Sequence, residues 1–235
     1  MNKELKNIKY TLVDPKIEAQ VDEICRKIKL SMNGIVSDQM KQKGIVYQQN
    51  FGVTIPRIKE IALGYIPNHG LAQRLWELDI RETKIMATLL EPTEKFSIEM
   101  AGNWVVKFDQ IEIIEQSVMN LFSKLHYAVT LGLEWIKSEN NWVQISGFIL
   151  IARIVKTLSK PQINLILKRT LEMSTTEDFH LYKSVGLCLS RLCRIDLETV
   201  KLIVNQLDNF KDKPTIGQKY ISMEVNQEIL FLGYK

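Results

Sequence analysis

His180, Lys183, Leu187, Arg191 and Arg194 recur at three- and four-residue intervals. On a helix that spacing lines them up along one ridge, on a different side from the apolar set Tyr182, Val185, Leu189 and Leu192. Cations along one ridge can follow a nucleic-acid backbone without reading its bases, and a solvated basic face has the same pattern. Arg153 with Lys156, and Lys168 with Arg169, extend the patch if their faces align. A second candidate is acidic. Glu115 flanks the helical apolar series Ile111, Ile114, Val118, Leu121, Phe122 and Leu125. A carboxylate so placed is either a surface or ion-pairing residue, or a partly desolvated acid that orients water or stabilises a developing cation. The four tryptophans, Trp76, Trp104, Trp135 and Trp142, form the third set. Each lies near apolar helix positions, where core packing is the default. Trp142, at the start of a helix beside Gln144, is better placed than the others to face a groove.

Other chemistries find no footing. The sequence has no Gly-rich phosphate loop, no nucleophile elbow and no HExxH. His69, His126 and His180 are scattered and no cysteine pair has a zinc spacing, so no metal and no cofactor are expected. Cys25, Cys188 and Cys193 are few and odd in number, which suits a reducing cytoplasm, the expected location. The opening stretch MNKELKNIKYTLVDP has neither a hydrophobic core nor a cleavage site, so a secretory leader is not expected. No apolar run approaches the roughly 18 residues that span a bilayer, so no membrane partner is expected. Net charge is 31 − 27 = +4, compatible with a polyanionic partner but too small to argue for one.

The elements that must position these residues read as helices throughout. Asp14-Pro15 starts the first, which Asn33-Gly34 ends; Ser37 caps a short second, and Thr54 caps IPRIKEIALGY. GLAQRLWEL follows, Asp79 opens a helix to Leu90, and another runs from Glu94 to Val106. Asp109 and Glu112 make a capping box for KFDQIEIIEQSVMNLF. Its partner runs from His126 to Ile136; Ser138, Ser159, Thr176 and Asp196 start the next four, and a last helix spans Gly217 to Leu232. Val and Ile recur every three to four residues rather than alternating, so no strand is expected. Pair-opening helices near 80, 110, 139 and 176 give a repeat of roughly 30 to 37 residues, which predicts an all-α solenoid of HEAT-like antiparallel helix pairs. No linker or composition shift divides the chain, so one domain over 1–235 is expected.

NFGVTIPRIKEIA, LAQRLWELDIRETKIMATLL, WVVKFDQIEIIEQSVMNLF and WIKSENNWVQISGFILIAR, together covering about residues 30 to 200, resemble the AlkD-type DNA alkylation repair proteins in order and spacing. That resemblance implies a HEAT-like solenoid, double-stranded DNA as partner and, as in the best-known members, a glycosylase that releases cationic alkylated purines. Active members carry a tryptophan and, four residues later, an aspartate; those positions hold Ile111 and Glu115. The arginine that follows their Trp-x-Gln motif falls on Ile145, after Trp142-Val143-Gln144, and a second groove tryptophan falls on Leu187. Glu115 is therefore the catalytic candidate, and Trp142, Gln144, Arg153, Lys183, Arg191 and Arg194 are the nucleic-acid-binding candidates. Breaking the bond to a cationic base builds positive charge on the sugar. An indole face stabilises such charge by about 0.5–2 kcal/mol, and aliphatic side chains have no comparable quadrupole. The extra methylene of Glu115 also shifts its charge, where misplacement of about 1 Å can cost about a hundredfold. Two readings stay open: an alkylation repair enzyme using Glu115, or a non-catalytic relative that binds DNA or a protein partner along its concave face. Convergence of Arg153, Lys183, Arg191 and Arg194 with Glu115 on one groove favours nucleic acid, and outward scatter favours a scaffold.

Overall fold

Among the described residues, the side chains that start helices by accepting a first-turn amide include Asp14, Asn33, Asn68, Ser97, Asn140, Asp178, Asp196 and Thr215. The structure is a computed structural model that describes residues 14–210 and 213–234. The expectation about a leader falls almost wholly outside them. Thirteen α-helices occur among the described residues: α1 (Pro15–Leu30), α2 (Gly34–Gln42), α3 (Ile55–Ala62), α4 (His69–Glu77), α5 (Arg81–Leu90), α6 (Ile98–Val105), α7 (Ile111–Asn120), α8 (Ala128–Trp135), α9 (Asn141–Ile154), α10 (Lys160–Met173), α11 (Phe179–Leu192), α12 (Leu197–Leu207) and α13 (Ile216–Phe231). No strand occurs among these residues, in agreement with the all-α expectation, and the fold is a HEAT-like stack of helix pairs. None of the helices is long and apolar enough to cross a membrane.

Several starts differ from the sequence reading. Asn33 and Gly34 open α2 rather than ending α1, and Ser97 rather than Glu94 precedes α6. Asp79 does not open α5; it takes a left-handed φ of 55° one residue earlier and pairs with Lys84. Ser138 and Thr176 come two residues early. Their hydroxyls accept from the amides of Asn140 and Asp178, which are the true caps of α9 and α11. A turn-forming Ser or Thr just before an Asn or Asp cap looks like a cap itself in sequence.

The helices gather into two compact units, Met1–Glu91 and Pro92–Lys235. In the first, α1 and α3 pack on each other and α1 packs on α4, while α5 packs on α3 and α4. Ile24, Ile28, Ile58, Leu71, Leu75, Ile85 and Met86 form its core. The segment entering α3 is held by Glu82, whose side chain is 0% exposed. Glu82 accepts from the amides of Phe51 (3.2 Å) and Val53 (3.1 Å) and from Arg81 Nη1 (3.0 Å). Arg81 Nη1 also donates to the Val53 carbonyl at 2.8 Å.

In the second unit α7 packs on α9, α9 on α11 and α11 on α13, while α8 backs α9 and α10 backs α11. The helices expected near 110, 139 and 176 thus form one continuous row. Because α9 touches neighbours on several sides, Val143 to Ala152 is buried throughout, without the one-sided stripe of a surface helix. At Gly147 a Cβ would sit 2.7 Å from the Ile136 amide nitrogen, so only glycine lets α9 pass this close to the end of α8.

Candidate nucleic-acid interface

Glu115 is carried by α7, whose start the sequence misplaced. The Asp109–Glu112 capping box is not formed; Gln110 holds the cap position, with no side-chain cap bond, and α7 begins at Ile111. Ile114 and Val118 are buried as expected, and so is Ile113, whereas Ile111 is half-buried. Gln116, Ser117 and Asn120 are buried as well, with Asn120 Nδ2 donating to Gln116 Oε1 at 3.3 Å. The buried face of α7 is therefore wider than its apolar residues, and Glu115 emerges on the narrow open side.

Arg153 lies at the end of α9 and Lys156 in the 3₁₀ turn after it; both are exposed. Among the described residues no carboxylate pairs with either of them. Arg191 and Arg194 come from the last turn of α11 and the residues after it. The expected buried stripe of that helix, Tyr182, Val185, Leu189 and Leu192, is buried and leaves the basic ridge outside. Arg194 grips Glu228 of α13 with Nε at 2.6 Å and Nη2 at 3.1 Å, while Arg191 Nη1 lies 3.6 Å from the same carboxylate. Ser190 Oγ adds a bond at 3.3 Å. The Arg194 guanidinium holds the Glu228 carboxyl below its ordinary range despite burial, so it stays ionised and anchors both arginines.

These elements enclose a cleft of about 630 Å³. Glu115, Arg153, Lys156, Arg191 and Arg194 line it, together with Leu187, Ile149 and Val118. No ion pair joins Glu115 to those cations among the described residues. Removal of water by the surrounding protein, and secondarily the Glu112 carboxylate, raise its pKa above the ordinary carboxylate value. The arrangement presents fixed positive charge to an anion while keeping one easily protonated acid on the wall.

Other expected site residues lie elsewhere. Lys183 does not line the cleft; its Nζ sits 4.3 Å from the Phe179 ring centroid and 5.6 Å from that of Tyr220. Trp142 is half-buried against His180, and Gln144 is buried with its amide donating to the Ser138 carbonyl. Ile145 is 1% exposed, whereas Leu187 does line the cleft. Trp76, Trp104 and Trp135 are core residues. Lys168 and Arg169 face a separate hollow with Lys137, where Arg169 bonds the Ile136 carbonyl at 2.7 Å. Glu228 escaped the sequence reading, since it stands 34 residues beyond Arg194 on another helix. Among the described residues no group of three or more His, Cys, Asp and Glu is placed to hold a metal ion.

A solved structure superposes with a TM-score of 0.72 at 13% identity, covering 88% of this chain and 94% of the other. It is described as a new family of proteins related to the HEAT-like repeat DNA glycosylases with affinity for branched DNA structures. Two engineered proteins, each 13% identical and covering 75% of this chain, give TM-scores of 0.42 over 84% and 0.41 over 86% of their own chains. No curated protein matches the sequence at a significant level. Residues 33–218 match the DNA alkylation repair enzyme family, and the chain belongs to that family.

Proposed function

We propose that this protein binds duplex DNA by its phosphate backbone along the cleft of the Pro92–Lys235 unit and does not excise bases. The carrying observation is the convergence of Arg153, Lys156, Arg191 and Arg194 on one cleft whose lining, among the described residues, contains no aromatic side chain and only one acid, Glu115. Cations so grouped release condensed counterions when they meet phosphates, which supplies affinity without sequence selectivity. Ile149 and Leu187 offer a developing sugar cation no π face. The affinity for branched DNA stated for the structural relative supports a nucleic-acid partner over a protein one. A second reading, a glycosylase with Glu115 as its acid, is favoured by the raised pKa of that residue at the cleft wall.

One experiment separates these readings. Duplex DNA carrying 7-methylguanine is incubated with the protein while binding is followed across a salt series. The expected result is binding whose log K falls with log salt at a slope of about −2 to −4, for two to four neutralised phosphates, with no base released. Release abolished by Glu115→Gln would establish the glycosylase. Lack of binding at low salt would remove DNA and leave a protein partner.

Glu115 also sets a pH dependence. Its charge opposes phosphate in the cleft, so duplex affinity rises as pH falls through its raised pKa and the carboxyl takes up a proton. The same shift lowers folding stability as pH rises from the ordinary carboxylate value through the raised one, because the folded state then holds the proton more tightly. Glu115→Gln removes the pH dependence of binding in this window and strengthens binding above it, where the carboxylate is ionised, by about threefold, the order of one charge–charge repulsion in water. Fluorescence anisotropy titrations at several pH values measure both effects.

A further inference from the structure

Beyond the cleft, the same two helices carry an aromatic step. The rings of Trp142 on α9 and His180 on α11 lie 5.6 Å apart and tilted by 32°. Phe179, 51% exposed, meets the His180 ring edge-on at 5.3 Å, and Lys183 lies over its face. The step is held in place from beneath. Asn141 Nδ2 donates to Asp178 Oδ2 at 3.0 Å, tying the first turns of α9 and α11 together. Asp178 Oδ1 meanwhile caps α11 by accepting from the Leu181 amide at 2.9 Å. Both rings precede cleft-lining residues of their own helix by seven positions, Trp142 before Ile149 and His180 before Leu187. Seven residues are two helical turns, so the step stands about 10 Å along the same ridge from the cleft.

We infer that this aromatic step stacks an unpaired base of DNA whose duplex phosphates occupy the basic cleft. The inference rests on the DNA-binding reading above and names its substrate class: duplex DNA with a single-stranded extension or branch. Every base has a π face, so stacking on rings that reach solvent, here exposed Phe179 and half-exposed Trp142 and His180, recognises unpaired bases of any sequence. Within a closed duplex those faces are already stacked and cannot reach the step. Exposed Glu139 and Glu177 stand next to it in sequence and disfavour phosphate there, which suits a base rather than the backbone. Lys183, held over Phe179, is the cation beside the rings and can meet the phosphate of the extruded nucleotide.

The test compares a blunt duplex with the same duplex carrying a short thymine overhang. Trp142 is the one tryptophan of four that is not buried, so a stacked base quenches its share of the emission, the share missing from Trp142→Phe. The expected result is about tenfold tighter binding of the overhang DNA, from one stacked base, with quenched tryptophan emission. Trp142→Ala brings overhang affinity down to that of the blunt duplex, whereas Trp142→Phe, which keeps a ring and the packing beneath it, retains most of the preference. Equal affinity for the two DNAs, or a preference that survives Trp142→Ala, overturns the aromatic step and leaves duplex binding in place. Failure to bind either DNA at low salt overturns duplex binding and the step together.

Discussion

Replacing Arg153 and Lys156 together by glutamate lowers duplex affinity by about a hundredfold or more near 0.1 M salt, and cuts the salt slope by about two. At that salt each neutralised phosphate contributes about eightfold through counterion release, so two lost contacts give about sixtyfold, and the two new carboxylates add repulsion. These positions isolate binding from folding. Both are exposed, at the end of α9 and in the turn after it, and neither is in an ion pair among the described residues. Surface changes of this kind alter stability by about 0.5 kcal/mol or less, so thermal unfolding should be unchanged. Arg191 and Arg194 are poorer probes, because replacing them also unlocks Glu228 and with it the clamp between α11 and α13. The double variant read by salt-dependent anisotropy is therefore the direct test of the cleft; unchanged affinity would place the DNA elsewhere.

Glu82→Ala carries the largest expected effect on stability, a loss of about 3–5 kcal/mol. The substitution strips the Phe51 and Val53 amides of their acceptor and leaves Arg81, 3% exposed, without its carboxylate. Removing one member of a buried ion pair costs more than replacing both, because the desolvation of the other is no longer offset by that partner. Urea denaturation should show the midpoint falling by about 1–2 M. Glu82→Gln keeps an acceptor for one amide and should lose less. Equal losses for the two variants would mean that the side chain acts through its volume rather than its hydrogen bonds.

Much of this architecture is legible in the sequence because the signals are local. Helix periodicity gave the all-α class, and Asp14-Pro15 and the Asp196 cap lie where the composition places them. The stripe of α11 and the outward ridge opposite it also follow from spacing alone. Failures began where a second helix decides the outcome. Lys183 belongs to the ridge by spacing, yet it folds over Phe179 and Tyr220, the latter 37 residues away on α13. Gln144 looked like a groove residue, but helix packing around α9 buries it. Arg191 and Arg194 share a counter-ion that no local pattern announces. Asp109 was a reasonable cap by residue type, but the chain stays extended through Gln110 and the helix starts one residue later than a cap there requires.

Burial of Ile145 limits which side chains α9 can carry at this point. Ile145 is 1% exposed inside α9. An arginine placed there would enter packed core beside Gln144 and Ser146, both buried, and carry a buried charge that destabilises by several kcal/mol. An Ile145→Arg variant is therefore expected to be poorly folded unless α9 is repacked around it, which a thermal melt would show. The packing of α9 therefore confines the positive charge of this face to the end of the helix, where Arg153 and Lys156 reach solvent.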